Sequence, residues 1–264
     1  GHLFRGLEKH RFGQIAVASG LGMIPGCLGG FAGVSLYSHR ITGFGALLAT
    51  LIATTGDEAF LMLALFPSRA LLIMSGLFVL GLAAGIVTEL VVNGLQKKGK
   101  ILDIGTDRAS DDNFELHECD CEHRHSHDED RKRHEVMHFI KEHIWGHVIK
   151  RHLPVIFAWT FGVLAIFGIL STRIDMETWV RGNTWLMILL AVAVGLIPES
   201  GPHMIFVSMF ASGILPFPVL LASCIAQDGH ACLPLIAENR RSWIRVKAVK
   251  SAIAAAAGFI AMAI

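Results

Sequence analysis

Gly195-Leu196-Ile197-Pro198-Glu199-Ser200-Gly201-Pro202-His203 is the stretch on which the fold turns. Leu186 to Leu196, just upstream, carries no charge, and Met204-Ile205-Phe206-Val207 follows. Proline removes a backbone donor and clashes with the preceding turn, so two prolines here stop a helix. A glutamate and a histidine inside so apolar a run are costly to bury and are kept where they serve a function.

The same punctuation occurs earlier in the chain. Residues 22–64 align with 195–237 without a gap, at a constant offset of 173. Pro25 faces Pro198, Ser35 faces Ser208, Phe44 faces Phe217, and Gly56 faces Gly229. Leu47-Leu48-Ala49 faces Leu220-Leu221-Ala222. Apolar segments align easily by chance, but prolines and glycines at one fixed separation do not. Each repeat has two breaks: IPGCLGG (24–30) or IPESGPH (197–203), then TTGDE (54–58) or QDGHA (227–231). Backbone freed by Pro or Gly is tolerated in a membrane only where protein or a wet cavity satisfies it. Kinks and close packing would account for the prolines and glycines. They would not account for Glu199, His203, Asp228 and His230 beside them. Matching broken segments in two halves of a chain point to the binding site of a secondary transporter.

The wider composition agrees. Of the 264 residues, 53% are hydrophobic and 17% charged, with a mean hydropathy of +0.53; soluble domains carry about 25% charged residues. Leu71 to Val92, Leu153 to Leu170 and Ala248 to Ile264 are long enough, or nearly so, to cross ~30 Å of hydrocarbon. The expected fold is all-α: a polytopic membrane protein with two inverted repeats, each a re-entrant hairpin plus a broken transmembrane helix. Its parts are a first repeat (1–96), a His-rich loop with an amphipathic helix (97–151) and a second repeat (152–264). Cys27, Cys224 and Cys232 lie in apolar segments, which excludes a disulfide framework. The chain begins Gly1-His2, with no initiator Met and no signal-peptide pattern, so residues are expected to precede it or to have been trimmed.

Charge orients the chain. Arg5, Lys9, Arg11, Arg40, the Lys97-Lys98-Lys100 group and the run Arg240, Arg241, Arg245, Lys247 and Lys250 are basic, whereas the joint at Ser212-Gly213 is uncharged. These clusters fall on one side, the cytoplasm by the positive-inside rule, if 12–38 re-enters with its tip at Pro25 and 41–66 crosses once, broken at Gly56. Three crossings then separate the hairpins, and the second repeat is inverted.

The polar stretch between the repeats is of another kind. Residues 117–147 pack eight histidines and two cysteines among many carboxylates. His117, Cys119, Cys121, His123, His125 and His127 read as loose, adjustable transition-metal ligands. His134/His138 and His143/His147 are i,i+4 pairs on one helix face. His134-Glu135-Val136-Met137-His138 satisfies the zincin pattern, but that pattern arises readily in a His/Glu-rich tract, and a membrane protease would carry it in an apolar helix. No enzyme is expected.

The paired G-x-I-P segments, with Thr55-Gly56-Asp57-Glu58 and Gln227-Asp228-Gly229-His230, joined by a His-rich loop, resemble a bacterial family of polytopic permeases. Its members are labelled manganese transporters or arsenic and heavy-metal efflux proteins, of a ten-span exporter type. The likeness covers both repeats and the loop. It implies pathway roles for Pro25, Asp57, Glu58, Glu199, His203, Asp228 and His230, and a chain short at its amino end relative to the family.

The residues themselves support the same class. Asp57, Glu58, Glu199 and Asp228 offer hard oxygens, and His203 and His230 offer imidazoles, a mixture that suits Mn²⁺, Fe²⁺, Co²⁺ or Zn²⁺. Cys27 and Cys224 could soften the site or serve as small packing residues, Ser35 and Ser208 could support it or cap the broken helices, and Gln227, Thr54 or Thr55 could add oxygens. The expected function is secondary export of a divalent transition metal, Mn²⁺ or similar, with proton exchange as the candidate coupling. Oxyanion efflux is the competing reading, disfavoured because no arginine lies in the breaks; a membrane metal sensor is another. The expected partners are the lipid bilayer and the metal ion, with a homodimer allowed and no nucleic acid. No prosthetic group is expected. The expected location is the bacterial inner membrane, with the loop in the cytoplasm.

Overall fold

A computed structural model describes residues 11–39, 41–97, 161, 162, 165, 168, 169 and 176–264. The chain divides into one compact unit of Gly1–Gly105 with Val163–Ile264 and a second of Thr106–Gly162. The helices of both repeats lie in the first. The expected loop ligands from His117 to His147, with Cys119, Cys121 and the pattern at His134–His138, lie outside the described residues, as do Arg5, Lys9 and Arg40.

Described residues form helices and no strand. Helix α1 (Arg11–Gly22) and α2 (Leu28–Ser38) flank the turn at Pro25. Helix α3 (Phe44–Ala53) and α4 (Glu58–Leu65) flank the first mid-helix break, and α5 (Pro67–Lys97) follows. In the second half come α6 (Met176–Gly182), α7 (Thr184–Val194), α8 (His203–Ala211) and α9 (Phe217–Ala226). A 3-10 turn (Gly229–Cys232), α10 (Leu233–Glu238) and α11 (Arg240–Ala263) complete it. At 12 and 11 residues, α1 and α2 are each about 17 Å long by the helical rise. That is about half of the ~30 Å hydrocarbon core.

The offset of 173 carries through to the elements. Helices α3 and α9 start and stop at matched positions, each giving way to an extended residue, Thr54 or Gln227. Gly56 and Gly229 then adopt the same left-handed conformation, φ +54°. Packing repeats as well. A methyl on Gly22 would meet Thr50 O at 2.4 Å and Ala53 Cβ at 3.0 Å; one on Gly195 would meet Ala226 Cβ, the matched atom, at 2.4 Å. A methyl on Gly85 would stand 2.7 Å from Gly45 O, and one on Gly258 stands 3.3 Å from the matched Pro218 O. Small residues let these backbones approach closely, as helices packed in lipid do.

Solvent exposure identifies the surroundings. Helix α5 buries Ala70, Ile73, Met74 and Leu77, yet its outer face is Leu71, Leu72, Val79, Val87, Leu90 and Val91. A helix apolar on both faces belongs in hydrocarbon rather than water. Three described segments are long and apolar enough to cross a bilayer: Pro67–Val92, Phe217–Glu238 through its break, and Arg240–Ala263. The protein is integral to a membrane. Its core interlocks the halves: Leu47, Leu51 and Ile52 pack with Leu235 and Val246, and Met62, Ile73 and Leu77 pack with Leu220 and Ile225.

Candidate functional site

The four breaks meet. Gly26 N donates to Gly56 O at 3.0 Å, joining the first hairpin tip to the first mid-helix break. Gln227 Nε2 donates to Thr54 O at 3.2 Å, joining the two mid-helix breaks. Thr54 and Gln227 are matched positions, so the repeats touch at equivalent points.

Around this junction the ionisable side chains sort into three groups. The first is half-buried. Donor atoms of Cys27, Asp57 and His230 lie within 4.8 Å of one another. Cys27 Sγ donates to Asp57 Oδ1 at 3.5 Å, and His230 Nε2 stands 3.3 Å from Glu199 Oε2. Each of the four breaks thus contributes one residue. Thiol, carboxylate and imidazole together form a donor set for borderline transition metals. A carboxylate that accepts from one ring nitrogen of a histidine fixes its tautomer and raises the basicity of the other.

The second group is fully buried. Glu58 Oε1 lies 3.6 Å from His203 Nδ1, and neither side chain is exposed. His203 Nδ1 shares a 2.9 Å hydrogen bond with Ser223 Oγ, and Cys224 Sγ approaches Glu58 Oε2 at 4.0 Å. The matched positions of Glu58 and His203 are Ala231 and Gly30, and these also face each other: a methyl on Gly30 would lie 2.6 Å from Ala231 Cβ. The same contact is made twice, once with chemistry and once without.

The third group is a triad. Asp228 Oδ1 accepts from Lys250, and Oδ2 is ion-paired with Lys247. Lys250 Nζ also donates to Leu51 O and Gln227 O, and Lys247 Nζ donates to Gly195 O at 2.6 Å. Asp228, Lys247 and Lys250 are all buried.

A family model described as "Putative, 10TM heavy-metal exporter" matches residues 1–163 and 154–263. The chain belongs to this heavy-metal exporter family. It is accordingly a membrane transporter for metal efflux. No curated protein and no solved structure matches it significantly.

For this exporter the structure sorts the residues singled out in the sequence. Cys27, Asp57, Glu199 and His230 come together, and Glu58 pairs with His203. Gln227 links the breaks through Nε2, while its Oε1 makes no hydrogen bond among the described residues. Ser35 is exposed, and Ser208 Oγ donates back to Met204 O of its own helix at 2.9 Å, so neither reaches the junction. Asp228 has partners of its own: each of its oxygens is ion-paired with a buried lysine. Lys247 and Lys250, expected in a cytoplasmic basic cluster, instead point into the protein, leaving Arg240, Arg241 and Arg245 to that cluster. One sequence signal could have separated them. Val246, Lys247, Lys250, Ala254 and Gly258 form the inward stripe of α11 at helical spacing.

Proposed function

We propose that the heavy-metal exporter carries a divalent transition-metal cation bound by Cys27, Asp57 and His230, with Glu199 holding the histidine. The observation that supports it is the convergence of one donor side chain from each break. Asp57 and His230 accommodate Mn²⁺, and the Cys27 thiol shifts preference towards Zn²⁺ or Co²⁺. The two lysines nearby are engaged by Asp228 and by helix carbonyls, so they are not free to hold an oxyanion. Metal displaces protons from thiol and imidazole ligands, which makes metal-for-proton exchange the coupling that this donor set supplies. The His-rich tract between the repeats gathers metal on the cytoplasmic side of a bacterial inner membrane. The exchanged contacts Glu58–His203 and Gly30–Ala231 support a two-fold relation between the halves, and the basic residues that remain on one side place its axis in the membrane plane, which inverts them.

The test is efflux from cells and flux in proteoliposomes across Mn²⁺, Zn²⁺, Co²⁺, arsenite and phosphate. Cys27→Ala and Asp57→Asn should each abolish flux of the preferred cation while the purified protein keeps its melting temperature. Undiminished cation flux in both variants, or flux of an oxyanion alone, would overturn the assignment.

A further inference from the structure

The broken helices end around an ammonium group. Leu51 O belongs to the last turn of α3, and Gln227 is the residue at which α9 stops. Lys250 Nζ, wholly buried, donates to both carbonyls and to Asp228 Oδ1. Three oxygens, two from half-helix C-terminal ends and one from a carboxylate, make a cage for a monovalent cation. Transporters with discontinuous helices hold coupling cations at unwound carbonyls and half-helix C-termini. Here the cage already contains a cation, covalently tied to α11.

The charge balance fits that reading. Lys247 takes the other oxygen of Asp228 and the carbonyl of Gly195, where α7 ends. Two ammonium groups face one carboxylate. The surplus positive charge sits on the C-terminal ends of three half-helices, each worth roughly half a negative charge. The first repeat has Thr55, Met74 and Leu77 at the positions matched to Asp228, Lys247 and Lys250. All three are buried and neutral. The carboxylate and both lysines are therefore present together in one half and absent together in the other. A scaffold element would recur in both halves, so the triad is an addition to the scaffold.

We infer that the Lys250 ammonium is a tethered occupant of a monovalent-cation site at the ends of the two broken helices. Export then needs no free sodium or potassium, and removing the ammonium turns the cage into a sodium site. This does not depend on which metal is exported.

The experiment compares wild type and Lys250→Ala in sodium, potassium and choline chloride at equal ionic strength. Wild type should export at the same rate in all three and show no salt-specific change in melting temperature. Lys250→Ala should lose export in choline, regain part of it in sodium, and melt several degrees higher in sodium than in choline, because an ion that binds only the folded state stabilises it. Lys250→Ala/Asp228→Asn, which removes the carboxylate as well, should lose the sodium effect. A variant that purifies in sodium but not in choline supports the inference equally. A sodium or potassium requirement in wild type overturns it, as does a folded Lys250→Ala that melts identically in all three salts. If the variant purifies in none of them, the wild-type comparison decides, and its melting curves do so even if no substrate has been found.

Discussion

At the scale of single residues, the four side chains of the half-buried cluster play different parts. Cys27 and Asp57 are the proposed ligands of the ion, whereas Glu199 meets His230 at its ring nitrogen at 3.3 Å. Glu199→Gln should therefore weaken apparent metal affinity by roughly 10- to 100-fold, the usual cost of losing such a partner, and leave maximal flux measurable. Concentration-dependent flux separates the two effects; an unchanged half-saturation would remove Glu199 from the site. Asp228→Asn should behave differently. It leaves two buried lysines facing a neutral amide, and breaking a buried ion pair from one side costs about 3–5 kcal/mol. The expected readout is a lower melting temperature and poor yield, with loss of transport as a consequence. A variant that is inactive but fully stable would restore Asp228 as a direct ligand.

Among the elements, the mid-helix breaks constrain their glycines through backbone conformation. Gly56 and Gly229 share a left-handed φ of +54°, where a residue with a Cβ pays about 1–2 kcal/mol. Their surroundings are unequal. A methyl on Gly229 would lie 2.8 Å from Ser200 Oγ, but on Gly56 its nearest neighbour is Gln227 Oε1 at 3.3 Å. Gly229→Ala should cost more stability than Gly56→Ala, because the second break must shift as well as strain. Gly76, in α5, has open space around its would-be methyl, and Gly76→Ala should be neutral or slightly stabilising. Thermal melts of the three variants give the order; equal losses at 56 and 229 would mean that the Ser200 side yields freely.

For the whole molecule, the decisive property is the relative direction of the two halves. With Lys247 and Lys250 turned inward, the one-sided charge pattern rests on fewer basic residues, and the exchanged contacts establish a two-fold relation without fixing its axis, so direct labelling decides the direction. Inversion places His39 and Ser212 on opposite sides. In a background without the five native cysteines, an impermeant thiol reagent applied from outside should reach a cysteine at 212 and not one at 39. Labelling of both from one side would make the halves parallel, and the shared site would have to be rebuilt.

The sequence by itself determined the helical membrane class, the repeat and the positions of the breaks. These depend on local properties: runs of apolar residues, prolines without donors, and glycines where the backbone turns left-handed. It also supplied the residues from which the donor cluster is drawn, since Cys27, Asp57, Glu199 and His230 all sit in breaks. Repetition alone misled at Ser35 and Ser208, because a repeat copies an outward face as faithfully as an inward one. What only the tertiary structure decided was the partnership of each charge. Asp228 and His230 are neighbours in sequence, but one turns to two lysines on α11 and the other to Cys27 and Asp57. A lysine in a basic run looks the same in sequence whether it faces lipid headgroups or fills a cage that includes a carbonyl 199 residues away. The difference lies in which face of α11 packs on the broken helices, and packing between distant segments leaves no local mark on the chain.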